Sequence, residues 1–106
     1  MRRGSVWWVD FDPTAGSEIR KTRPAVIVSN NMANKHLDRV VVVPLTGNTK
    51  TVYPGNALVT VGGQRNRAMA DQIRAVDKQR LHDKLCRLSA SDMAAVEDAV
   101  RVHLAL

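Results

Sequence analysis

The chain has 106 residues, 44% of them hydrophobic and 25% charged, with sixteen Lys and Arg against ten Asp and Glu and a net charge of +6. This is the balance of one ordinary globular domain over residues 1–106, and it excludes two cores, disorder and low-complexity classes. No apolar run nears the ~20 residues of a membrane helix, the start has no signal-like apolar region, and the single Cys86 leaves neither an internal disulfide nor a cysteine-rich zinc site, so the chain reads as cytosolic.

The first predicted strand is Ser5–Phe11, rich in Val and Trp, which suit strands. Asp12-Pro13 ends it, and residues 12–22 read as an exposed loop. Pro24–Ser29 is the second strand, closed by Asn30-Asn31, with a short helical or irregular link at Met32–His36. Residues 39–45 carry four consecutive valines and read as a buried strand, with Pro44 implying an edge or bulge near its end. A turn follows at Thr46-Gly47-Asn48, then a weakly alternating strand at Asn56–Val61 ending at Gly62-Gly63. Arg67–Val76 is ambiguous, with strand favoured in its first half. One helical turn is expected at Asp77–Leu81 and a last short strand at Lys84–Leu88.

The C-terminal helix is the clearest element. Ser89-Ala90-Ser91-Asp92 resembles a capping box, and Met93, Val96, Val100 and Leu104 then fall on one helical face. His103 lies near that face and reads as a partly buried packing residue. Many short strands punctuated by turns and closed by one helix predict a mainly β, antiparallel, strongly curved sheet or small barrel.

Charge is unevenly spread. Residues 19–74 hold nine basic and two acidic side chains, whereas residues 75–106 hold five of each. A basic middle on a neutral tail points to a polyanionic partner, either nucleic acid or an acidic protein. The common catalytic motifs are missing: there is no phosphate-binding glycine loop, no dinucleotide fingerprint and no zinc-protease helix. The three histidines lack metal-ligand spacing, and Cys86 reads as a structural thiol. What remains is the basic cluster Glu18-Ile19-Arg20-Lys21-Thr22-Arg23-Pro24. Pro24 drives Arg23 toward extended geometry, so a guanidinium fork stands on fixed backbone where it can clamp a phosphate.

The stretches RRGSVWWVDFDPTAGSEIRKTRPAVIVSN, VVVVPLT and ADQIRAVDKQRL, in this order and followed by a closing helix, resemble the MazF/PemK toxins of bacterial toxin–antitoxin modules over nearly the whole chain. The resemblance implies an SH3-like barrel with a C-terminal helix and a homodimer. It implies cleavage of single-stranded RNA without metal or cofactor, leaving a 2′,3′-cyclic phosphate and a 5′-hydroxyl, and inhibition by a cognate antitoxin with a flexible acidic tail. The catalytic arginine of the family falls on Arg23 and its strand-end threonine on Thr46, and an aspartate found in some members' sites falls on Asp71. This chain has Ser17 where some relatives have a site histidine, and Met69 where some have an arginine, so RNA preference does not transfer.

The implied chemistry needs a proton acceptor for the 2′-OH, a donor to the leaving 5′-oxygen and stabilisation of added negative charge. Arg23 suits the last role best, because a guanidinium gives up its proton reluctantly, and the resemblance implies a part in proton transfer, for which the acid role is open to it. Thr46 can donate a hydrogen bond to a phosphate oxygen. Asp71 either accepts the 2′-OH proton or holds Arg23 in place. Arg20, Lys21, Lys50, Arg65, Arg67 and Arg74 are phosphate contacts, and Glu18 and Gln72 can read base edges. Trp7 and Trp8 can stack bases, but as neighbours on a strand one is expected in the core and the other at an interface or exposed. Two other readings compete: a non-catalytic poison of a topoisomerase with a similar barrel, and an RNA-binding module without turnover.

Overall fold

The computed structural model describes residues 1–106. Seven strands and two helices follow in the order β1 (Ser5–Asp10), β2 (Thr22–Ile27), α1 (Asn31–His36), β3 (Arg39–Thr46), β4 (Asn56–Val61), β5 (Gln64–Met69), β6 (Arg74–Asp77), β7 (Leu81–Arg87) and α2 (Ala90–Leu104). Short 3-10 turns at Ala70–Gln72 and Lys78–Arg80 flank β6. The sheet is antiparallel in the order β4-β5-β3-β2-β1-β7, with β6 also paired to β3. The architecture is mainly β and strongly curled, with one long helix.

β3 organises the curl. On one side it pairs with β2. On the other, Arg39–Val42 pair with β6, whereas Leu45 and Thr46 pair with β5. Pro44 falls in the gap between these two partners. Val41 turns its polar backbone groups toward β2 and Ser29, so Pro44, of opposite parity to Val41, turns its nitrogen toward the gap, where no N–H is needed. The proline therefore marks a switch of partner inside the sheet.

Three of the four valines of β3 divide between two apolar clusters on opposite faces, and Val41 is half-buried outside both. Val43 joins Val6, Val26, Leu45 and Val59 under Met93, Val96 and Ala99 of α2. Val40 and Val42 join Val9, Phe11, Ala25, Ile27 and Leu81 on the other face. Period-two alternation along β2 feeds the same two clusters. Trp7 is half-buried, donating its indole N–H to Ser5 Oγ at 3.0 Å, and Trp8 is exposed, as the alternation predicts.

Several boundaries differ from the sequence reading. β5 starts at Gln64, ahead of the expected Arg67, because Gly62 and Gly63 adopt positive φ angles of 56° and 81° and close a two-residue hairpin with Val61 opposite Gln64. The ambiguous segment 67–76 is split by the 3-10 turn, which lets one half pair with β4 and the other with β3. β7 begins at Leu81 instead of Lys84. His103 is exposed, a correction to its expected partial burial: it borders Gly55 at the start of β4 on one side only, and its neighbours Val102 and Leu104 are exposed too.

Candidate active site

Ala25 of β2 lies opposite Pro44 of β3. The pairing of β2 with β3 stops there, and continuing its register by two residues brings Arg23 level with Thr46 just beyond the last pair. Thr46 in turn lies opposite Arg67 of β5. Directly opposed residues share a face of a sheet, so Arg23, Thr46 and Arg67 form a row across three neighbouring strands. All three are half-buried. The row begins where the apolar cluster stops: Ala25 and Ile27, on the same face of β2, are fully buried. β2 takes in Arg23, which pairs with Val9 of β1, so its backbone is fixed.

No carboxylate neutralises the row. The two ion pairs of the molecule, Arg3–Glu97 and Arg101–Asp98, both involve α2. Arg23 donates Nε–H to the carbonyl of Arg20 at 3.3 Å, and its terminal nitrogens have no partner within the chain. Arg67 donates from Nη1 to the Thr51 carbonyl at 3.0 Å and to Asn56 Oδ1 at 3.2 Å. Its Nε is buried without a partner, an N–H donor held in reserve. Thr46 Oγ1 accepts from the Asn48 backbone at 3.3 Å, leaving its own proton free to donate. Two guanidinium groups flanking a hydroxyl make a site for a tetrahedral anion.

Asp71 is bonded neither to Arg23 nor to Thr46, so it does not hold Arg23 in place. It reaches the row indirectly, accepting from Asn56 Nδ2 at 3.4 Å, while Asn56 accepts from Arg67. Asp71 also lines a cleft of about 320 Å³ with Glu18, Ile19, Gln72, Ile73 and Arg74. Six of the expected site residues thus fall into two neighbouring sets, Arg23 with Thr46 and Glu18 with Asp71, Gln72 and Arg74, joined through Asn56 and Arg67. Sequence reasoning gives Asn56 no role and treats Arg67 as one phosphate contact among several. The signal for Arg67 is its position two residues before Met69, on the same face of β5 as the arginine some relatives carry.

The loop between β1 and β2 is stitched to this site. Arg80 Nη1 donates to the carbonyls of Asp10 at 3.1 Å and Asp12 at 2.5 Å. Arg74 donates to the Phe11 carbonyl at 3.2 Å, with its guanidinium 5.9 Å from the centroid of the Phe11 ring. Gln72 Oε1 accepts from the Ile19 backbone at 3.3 Å. Within the loop, Glu18 Oε1 accepts from Ala15 and Arg20 donates to the Gly16 carbonyl. Arg74 is therefore first a loop anchor. Lys21 sits at the loop's exit with φ 65°, a left-handed conformation that costs a side chain energy and is held by Phe11 donating to its carbonyl. Lys50 and Arg65 lie exposed, outside both sets. No three His, Cys, Asp or Glu side chains converge to ligate a metal, and no helix is long and apolar enough to cross a membrane.

Comparison with known proteins agrees with this fold. A sequence profile for the PemK-like, MazF-like toxin of type II toxin–antitoxin systems matches residues 2–104. The chain is 43% identical to the endoribonuclease MazF9 of Mycobacterium tuberculosis, covering 100% of this chain and 98% of that protein. An endoribonuclease from a mycobacterial species, solved with its cognate antitoxin, superposes with a TM-score of 0.84 at 28% identity, over 100% of this chain and 96% of the other. MazF of Deinococcus radiodurans superposes with a TM-score of 0.88 at 26% identity, over 100% and 97%. The curled sheet, its closing helix and these relatives define a small toxin of the endoribonuclease class. The chain belongs to the PemK-like, MazF-like family of type II toxin–antitoxin systems.

Proposed function

We propose that the protein is a cytoplasmic toxin that cuts single-stranded RNA at selected sequences, without metal, through the ribose 2′-OH. The observation that carries this reading is the row Arg23, Thr46, Arg67 with no carboxylate against it. As the 2′-oxygen bonds to phosphorus it gives up its proton to solvent water, and the phosphate oxygens gain negative charge. As the P–O5′ bond breaks, the leaving oxygen takes a proton from solvent water. The products are a 2′,3′-cyclic phosphate and a 5′-hydroxyl. Arg23, with free terminal nitrogens, stabilises the charged oxygens, and Thr46 donates its hydroxyl proton to one of them in a hydrogen bond. Asp71 meets the row only through Asn56, so it belongs to the bordering cleft, on the substrate's flank. Arg20 and Lys21, at the loop's exit, suit flanking phosphates. The requirement for a 2′-OH makes DNA inert.

An acidic antitoxin tail fits the same cationic face, and occupancy of that face would block Arg23. The mycobacterial relative solved with its cognate antitoxin supports such a partner. A homodimer, as the family resemblance implies, agrees with the exposed Val102, Leu104 and Leu106 at the end of α2. A non-catalytic poison would have no use for the Arg–Thr–Arg row. The experiment is incubation of mixed-sequence single-stranded RNA with purified protein in EDTA, beside Arg23→Ala and a matched DNA, with product ends mapped by mass. Cyclic-phosphate ends from the wild type alone, with DNA intact, are expected. Intact RNA across varied sequences would overturn the reading.

A further inference from the structure

We infer that the cleft between Glu18 and Asp71 is a guanine-binding subsite, which places a guanine beside the phosphate that is cut. This deepens the nuclease reading and rests on it. The cleft is an anomaly in so basic a chain. Two carboxylates line it, and carboxylates repel phosphate, so its occupant presents N–H donors instead. At about 320 Å³ it lies at the small end of pockets that enclose small ligands.

The hydrogen bonds already made determine which groups remain free. Glu18 Oε1 is taken by the Ala15 N–H, leaving Oε2. Asp71 Oδ1 is taken by Asn56, leaving Oδ2. Gln72 uses Oε1 to accept from Ile19, which fixes the amide orientation and leaves its Nε2 hydrogens to donate. Arg74 Nη1 is held by Phe11, and the ring beneath limits its swing. The cleft therefore offers two strong acceptors, an amide donor and the remaining N–H groups of Arg74, and Ile19 and Ile73 supply the apolar surface that a base face covers.

Among the four RNA bases, guanine alone carries two N–H donor groups, N1–H and N2–H₂, on its Watson–Crick edge. Its O6 beside them accepts from the amide. Adenine and cytosine offer one amino group each, and uracil one imino group, so each leaves a carboxylate in the cleft without a donor. Unstacked bases of single-stranded RNA expose this edge to a protein. The cleft reaches the cutting row through Asp71, Asn56 and Arg67, so the guanine lies next to the scissile phosphate.

The test is fluorescence anisotropy with Arg23→Ala protein and seven-nucleotide single-stranded uridine RNAs carrying one central guanine, adenine, cytosine or inosine. Guanine is expected to bind about tenfold or more tighter than adenine or cytosine, the discrimination of one good bidentate contact. Inosine, which lacks the 2-amino group, falls between them. Glu18→Gln, tested in the same background, is expected to erase most of the guanine-over-inosine advantage; a carboxylate that merely braced the loop would weaken both RNAs alike. All four RNAs binding within twofold, or guanosine monophosphate competing as well as the guanine RNA, would overturn an RNA subsite for guanine. Wild-type cleavage of a randomised RNA pool separates the two readings. No cleavage counts against the nuclease, while the binding series still decides the subsite. Cleavage with no guanine preference at any position flanking the cut overturns the subsite alone.

Discussion

Arg23 sits where a strand leaves its core. Ala25 and Ile27 on the same face are fully buried, and Val9 opposite Arg23 is buried too. The guanidinium is the first polar group beyond that apolar edge, carried by backbone that β1 holds in register. Its removal takes away charge and leaves the packing intact. Arg23→Ala is therefore expected to lower the cleavage rate by about 10²–10³-fold, the range for losing a transition-state donor. Its thermal midpoint should stay within a few degrees of wild type, and calorimetry checks this. Thr46→Val keeps the shape and removes the donor, for a loss of roughly 10–100-fold in single-turnover rate. Wild-type rates for Thr46→Val would remove it from the site. Lys21 carries the opposite relation between stability and function. Its left-handed φ of 65° costs a lysine about 1 kcal/mol and a glycine nothing. Lys21→Gly should hold or raise stability in urea titrations while weakening RNA binding. A clear loss of stability would show that the lysine side chain packs, and that the strain is not there to place a charge.

Elements were legible where one physical signal dominated. β4 runs over Asn56–Val61 as its alternation predicts, and α2 follows from the spacing of Met93, Val96 and Val100 behind a serine cap. Ser89 Oγ accepts from the Asp92 backbone at 3.1 Å, and Asp92 Oδ2 reaches across to the Thr60 N–H of edge strand β4 at 2.8 Å. That second bond joins elements far apart in the chain, which no local pattern encodes. The start of β5 was hidden for a related reason. Gln64, Arg65, Asn66 and Arg67 read as polar, and only pairing with β4 makes them a strand. Among the site residues, Arg23 was legible from the proline beside it and from the family motif. Asn56 was not, because its role comes from β4 lying beside β5 and delivering its amide between Arg67 and Asp71. Register is a property of two strands, and a single stretch of sequence does not carry it. The packing of α2 has a measurable consequence. Val96 is fully buried among residues of five strands and the helix. Val96→Ala leaves a cavity there and should cost about 2 kcal/mol, lowering the melting temperature by roughly 10 °C in a chain of this size. A shift under 2 °C would mean that the sheet holds together without the helix.

For the molecule as a whole, charge placement matters more than net charge. A chain of net charge +6 with ion pairs only at α2 leaves its other cations unpaired. Arg20, Lys21, Arg23 and Arg67 gather around the loop exit and the strand row, where an RNA backbone would displace counterions rather than protein carboxylates. About four phosphate contacts to a single strand give a slope near −3 for the logarithm of affinity against the logarithm of salt concentration. Raising salt from 50 to 200 mM should then weaken binding by roughly 50-fold. Arg23→Ala should make the slope shallower by about 0.7, one contact's share, whereas a substitution at exposed Lys35 on α1, at the opposite end of β3 from Thr46, should leave the slope unchanged. Fluorescence anisotropy of a labelled single-stranded RNA across a salt series measures all three slopes. A flat wild-type slope would mean that RNA is held by its bases alone, and the cationic row would lose its assignment. An acidic peptide that competes for the same face should show the same steep slope, so salt would loosen inhibitor and substrate together and leave their relative hold on Arg23 nearly constant.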